Sequence, residues 1–118
     1  VTTGGYLKQI RAYENMEINP IFNPIRARLV AMTEKYEAIV NAVVETKNQE
    51  YLDFVARRLV EMAGHIIMTY LLIIDATRDE QFRTSAEVYI HYAEAEVEKH
   101  YSFIKAFNID DIELYKAW

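Results

Sequence analysis

The sequence predicts an all-α fold: an up-down antiparallel bundle of three long helices, with a shorter helix at each end. Three observations carry this. Apolar residues recur at intervals of three and four through most of the 118 residues, which is the period of one helix face. No stretch of useful length alternates with period two, so no strand is predicted. Gly is 3 and Pro is 2, too few to punctuate the many turns of a β-sandwich.

The elements follow in order. Gly4-Gly5 reads as the end of a linker over residues 1–5. Residues 6–18 then form the first helix, with Leu7, Ile10, Tyr13 or Glu14, and Glu17-Ile18 at helical spacing. Pro20 and Pro24 break the chain, since each lacks an N–H and pushes its predecessor out of the helical region. The second helix spans about 24–47. Asn23 is its expected N-cap and Pro24 its first residue. Ile25, Leu29, Met32, Tyr36, Ile39 and Val43 form a seam with spacings of 4, 3, 4, 3 and 4.

The third helix spans about 49–75, with Asn48 as its cap. Leu52, Val55, Leu59, Met62, Ile66, Tyr70 and Ile73 form its seam. Its second half is apolar nearly all round, so burial on most sides is expected. Gly64 sits mid-helix, where Gly costs about 1 kcal/mol against Ala; a close helix crossing is the expected reason. The stretch Met62 to Ile74 is shorter than the roughly 20 apolar residues a bilayer needs, and it reads as a core helix. The fourth helix spans about 79–107, with Phe82, Ala86, Tyr89, Ala93, Val97, His100, Ile104 and Phe107 on one stripe. Residues 110–117 form a short last helix, and Asp110-Asp111 at its start suits the helix dipole. The short connections fit antiparallel neighbours in one domain over 6–118.

Composition excludes several function classes. Thirteen basic against 18 acidic residues give a net charge of −5. Arg57-Arg58 is the only adjacent basic pair, so neither nucleic acid nor a membrane surface is an expected partner. Apolar residues at 52% support a real core. Cys is 0, so there is no disulfide scaffold and no thiolate chemistry. Absent cysteine suits the cytoplasm, the expected compartment. The first residues lack the pattern of a signal peptide. The chain opens on Val1 rather than Met, and the expectation is a fragment of a larger protein.

Motifs for chemistry are missing. A di-iron carboxylate site in a bundle uses Glu-x-x-His on two helices. Here Glu61–His65, Glu87–His91 and Glu96–His100 are all i, i+4, and His91 with Glu94 is a single reversed pair. Surface pairing accounts for these. His65 and His100 fall on or beside apolar faces, where hydrogen-bonded core histidines are the expectation; haem ligation by the two has no further support. There is no nucleophile elbow and no phosphate loop. Ser85 and Ser102 lie in a Glu-rich helix. No residue is assigned a catalytic, cofactor-binding or metal-ligating role. Nine Tyr, at 6, 13, 36, 51, 70, 89, 92, 101 and 115, suit either core-edge packing or a contact surface.

The runs LVEMAGHIIMTYLLII (59–74) and SAEVYIHYAEAEVEKHYSFI (85–104) carry a resemblance. With the segment GGYLKQIRAYE before them, they resemble the C-terminal helical extension of a bacterial (Bacteroidetes-type) group of acyl-CoA dehydrogenases. The resemblance implies a parent oxidoreductase of fatty acid metabolism, a flavoprotein whose upstream core binds FAD and acyl-CoA. It implies a Glu base taking the α proton in that core while FAD accepts the hydride. It also implies a homo-oligomer. None of the core's motifs occurs here, so the fragment itself is expected to be non-catalytic and without cofactor. Its expected role is packing, oligomer assembly or active-site access, with the upstream core and a neighbouring subunit as partners. The alternative from another class is a stand-alone acidic helical protein-interaction module.

Overall fold

The computed structural model describes residues 3–107 and 110–117, and within them every side chain except those of residues 3, 4, 115 and 116. All the regular structure described is helical: α1 (Thr3–Glu14), α2 (Asn23–Glu45), α3 (Gln49–Arg78), α4 (Arg83–Ala106) and α5 (Asp111–Ala117). Two short 3-10 turns, Pro20–Phe22 and Glu80–Phe82, lead into α2 and α4.

Side-chain pairs fix the helix directions. Arg28 meets Glu94 and Lys35 meets Glu98, so α2 and α4 run parallel. Tyr51 reaches Phe107, Arg58 reaches His100 and His65 reaches Tyr89, so α3 runs against α4. Arg11 pairs with Glu37 while Arg26 reaches back to Met16, so α1 opposes α2. The first four helices therefore alternate in direction, as the short connections require. The bundle is elongated, 51 × 24 × 18 Å, because α3 alone is 30 residues long and each helical residue rises about 1.5 Å.

The helix ends depart from the sequence reading in three places. The first helix begins at Thr3 and runs through Gly4-Gly5, inside the expected linker, and it ends at Glu14 rather than 18. Asn15 stops it: its backbone closes on Ala12, and its side chain donates to the Arg11 carbonyl at 3.2 Å. Such local bonds compete with helix continuation. Ile18 is still buried, but in the extended connection.

The start of α2 is the second departure. Asn19, not Asn23, is the cap. Its side chain accepts from the Ile21 N–H at 3.1 Å, with Pro20 opening the 3-10 turn. The Asn23 N–H already bonds to the Pro20 carbonyl, so Asn23 is helical and its side chain accepts from Arg26 at 3.0 Å instead.

The third is the junction of α3 and α4. The break expected from 75 lies at Asp79, and α3 runs on to Arg78. The Asp79 N–H bonds to the Asp75 carbonyl, and its carboxylate accepts from the Gln81 N–H. One residue thus ends one helix and opens the turn into the next. The Asn48 cap is as expected, accepting from the Tyr51 N–H at 2.9 Å.

The core follows the seams. Every α2 seam residue is buried, as are Val55, Leu59, Met62, Ile66, Tyr70 and Ile73 of α3; Leu52 is half-buried. On α4 the buried stripe is Ala86, Ile90, Ala93, Val97, His100 and Ile104. Ile90 takes the position expected for Tyr89, which is half-buried. Ile112 holds α5 against the bundle.

The second half of α3 is buried or half-buried on most sides, as expected: between Met62 and Ile74 only Gly64, Met68 and Leu71 are exposed. One expectation for α3 is overturned. Gly64 is not at a close crossing. A Cβ built on it would meet no heavy atom within 4 Å. α3 packs on α1, α2 and α4, so only a narrow strip of it faces solvent.

Candidate functional site

α3 carries a window of mean hydropathy 1.6, long and apolar enough to cross a membrane by length and composition, yet half of that window is buried inside the bundle. The rest of the helix includes exposed apolar side chains. Val60, Gly64, Met68 and Leu71 lie at spacings of 4, 4 and 3, hence on one helix face. On α4, Val88 is 63% and Tyr92 53% exposed. Between the two helices runs an open groove of about 590 Å3, lined by Leu72, Thr84, Ser85, Val88, Tyr89 and Tyr92. His65 braces its aromatic wall. Its Nδ1 lies 3.0 Å from the Tyr89 hydroxyl, and its ring meets Tyr92 edge-on with centroids 5.4 Å apart. Rings held this way are rigid contact surfaces.

The second feature is polar. A cleft of about 390 Å3 lies near the other end of α3, lined by Phe54, Arg57, Arg58, Glu61, Lys99 and His100. His100 is 3% exposed. Arg58 donates to its Nδ1 at 3.2 Å. A guanidinium only donates, so Nδ1 accepts and the ring proton sits on Nε2. That nitrogen is 2.9 Å from the Glu61 carboxylate, but without the alignment of a hydrogen bond. The His100 pKa is pushed down, chiefly by burial, with Glu61 opposing. The Arg58 guanidinium lies 3.8 Å from the centroid of the Phe103 ring.

Of the Glu–His pairs singled out in the sequence, two meet: Glu61 and Glu96 approach His100 Nε2 at 2.9 and 3.9 Å, while Glu87–His91 lies apart with other partners. Glu87 pairs with Arg83 at 2.7 Å, and His91 approaches Arg28 at 3.5 Å. Glu94 is gripped by Arg28 through two bonds of 2.6 and 3.1 Å, and that grip holds its carboxyl below the usual range. Glu96 pairs with Lys99 at 2.8 Å, and Glu61 with Arg57 at 3.2 Å. Among the described residues no group of three His, Asp or Glu side chains is arranged to hold a metal. His65 and His100 each hold their own partners, Tyr89 and Arg58. Ser85 lines the apolar groove, and Ser102 donates to Glu98 at 3.4 Å.

The tyrosines divide. Tyr36, Tyr51 and Tyr70 are core, Tyr92 is exposed, and Tyr6, Tyr13, Tyr89 and Tyr101 lie between. The Tyr115 side chain lies outside the described residues. Tyr51 donates to the carbonyls of Phe107 at 2.7 Å and Ile104 at 3.3 Å, tying the end of α4 to the start of α3. Sequence reasoning missed the Arg58–His100–Phe103 assembly; its only trace was the Arg57-Arg58 doublet.

The family model described as "Acyl-CoA dehydrogenase C terminal" matches residues 2–112. The chain belongs to this family. A crystal structure of an acyl-CoA dehydrogenase family protein from Porphyromonas gingivalis is similar, with a TM-score of 0.84 and 46% identity, covering 91% of this chain and 93% of that one. No curated protein matches the chain.

The acyl-CoA dehydrogenase family raises the question of FAD. The pyrophosphate of a dinucleotide seats on free N–H groups at a helix start. In this C-terminal domain the Asn48 side chain occupies the start of α3, and 3-10 turns close the starts of α2 and α4. Among the described residues, these three helix starts therefore offer no free N–H cluster for a pyrophosphate.

Proposed function

We propose that this is a non-catalytic C-terminal helical domain of an acyl-CoA dehydrogenase, whose upstream core performs FAD-dependent α,β-dehydrogenation of an acyl-CoA in the cytoplasm. Its role is assembly: it packs on that core or on a neighbouring subunit of a homo-oligomer. One observation carries the role. The most apolar helix of the chain turns Val60, Met68 and Leu71 to solvent, and α4 exposes Val88 and Tyr92. An exposed apolar surface next to a rigid aromatic wall is what an interface uses. The family match supports the parent enzyme.

The test uses the full-length enzyme. Met68→Glu and Leu71→Glu place charges on the exposed face without touching the core. Sedimentation should show a smaller or dissociating assembly, while the isolated 118-residue chain keeps its melting temperature. An unchanged assembly with unchanged kcat and KM, also after deletion of the domain, refutes the assembly role.

A further inference from the structure

The cleft between α3 and α4 holds a cation, Arg58, with no carboxylate partner among the described residues. Three clefts can be compared by how their charges are spent. In the cleft lined by Arg28 and Arg83, both cations are paired, with Glu94 and Glu87. The groove beside Tyr92 has no charged lining residue. The cleft of Arg57, Arg58 and Lys99 is different: Glu61 is the one acidic residue on its wall. Arg57 is paired with Glu61 and Lys99 with Glu96, so with His100 neutral the local excess is one, that of Arg58, in a chain of net charge −5. Among the described residues, Arg58 has no carboxylate partner. It is nonetheless held in place, by the Phe103 ring on one face and His100 Nδ1 at one nitrogen. A guanidinium fixed by an aromatic ring and a buried imidazole has its remaining donors preorganised for a planar or tetrahedral oxyanion. The Phe54 ring, stacked on Phe107 with centroids 4.7 Å apart, supplies an apolar wall to the same cleft.

We propose that this cleft binds a small molecule bearing a terminal phosphate monoester, with Arg58 as the anchor, Arg57 and Lys99 as flanking charges and Phe54 against the organic part. The sign is complementary: a phosphate monoester is an anion of about −1.5 to −2 at neutral pH, and its oxygens can take the donors that Arg58 has left. The volume of about 390 Å3 exceeds what a bare phosphate ion fills, so an organic group is accommodated. Lys99 lines the cleft but is paired with Glu96 at 2.8 Å, so it adds a flanking charge rather than the anchor. This site is independent of the assembly role, since it lies apart from Met68 and Leu71 and uses charge rather than apolar area.

The test is titration of the 118-residue chain with phenyl phosphate, followed by calorimetry and by the NMR signals of the His100 ring. Saturable binding that shifts His100 and weakens about tenfold in Arg58→Gln is expected, since charge-assisted bonds are the strong ones. Lys99→Gln and Arg57→Gln are exposed substitutions that leave the fold intact, and each should weaken binding several-fold. Raised salt should weaken it too. Inorganic phosphate should bind more weakly than phenyl phosphate; equal binding removes the organic part of the proposal. Benzoate binding as tightly as phenyl phosphate overturns the phosphate class. No saturable binding up to about 10 mM, or full affinity in Arg58→Gln, overturns the site.

Discussion

Arg58 and His100, 42 positions apart, meet through a guanidinium donating to the ring Nδ1 at 3.2 Å. This contact fixes the imidazole as the neutral Nε2–H tautomer, since protonation of Nδ1 would set two donors against each other. Glu61 and Glu96 approach the ring at 2.9 and 3.9 Å, and Lys99 and Arg58 add positive charge nearby.

Stability should therefore depend on pH through His100. Its folded pKa lies below the ordinary 6.5, chiefly because it is buried. As pH falls through about 6.5, the unfolded chain takes up a proton that the folded one refuses. The stabilisation is complete above that pH and is lost progressively below it. Urea melts at about pH 7.5 and 5.5 should show the drop, and His100→Gln should flatten it. The carboxyls of Glu94 and Glu98 are held low by Arg28 and Lys35, so their contribution fades only at more acidic pH. A slope unchanged by His100→Gln would refute the assignment.

Gly64→Ala should stabilise the isolated chain by about 0.5–1 kcal/mol. The site is helical, and an added Cβ meets nothing within 4 Å, so the gain in helix propensity is unopposed. A loss of stability in a urea melt would show a crowding that the bundle does not contain.

Ile66→Ala should cost about 2–5 kcal/mol. Ile66 is 0% exposed in the middle of the longest helix, where packing closes from several directions and collapse around a void is limited. Denaturant unfolding with an unchanged m-value measures this loss directly; a cost below about 1 kcal/mol would place Ile66 outside the core.

Tyr36→Phe should be neutral or slightly stabilising. The Tyr36 hydroxyl is buried with no hydrogen-bond partner, and burial pushes its pKa up to about 12. Removing an unpaired buried hydroxyl removes its desolvation cost. Tyr51→Phe is the contrast: its hydroxyl holds the end of α4 at 2.7 Å, and its loss should cost about 1 kcal/mol. Equal effects of the two changes would refute the distinction.

The sequence by itself determined the number and order of the helices and most of the seams that they bury. Periodicity alone placed the α2 seam from Ile25 to Val43, because burial on one face imposes a period near 3.6 whatever the partner is. It also placed the Asn48 cap, because capping is a local bond between residues three apart. It failed where two local solutions compete. Asn19 and Asn23 both precede a proline, and only the path back from α1 selects Asn19. The LVEMAGHIIMTYLLII and Tyr-rich runs identified the family without any geometry. Tertiary structure alone decided which side of α3 faces solvent, since an all-round apolar helix carries no record of its neighbours. It alone gave Gly64 open space. It alone joined Arg58 to His100 and Phe103, a contact that exists only because α3 and α4 run in opposite directions with one register between them.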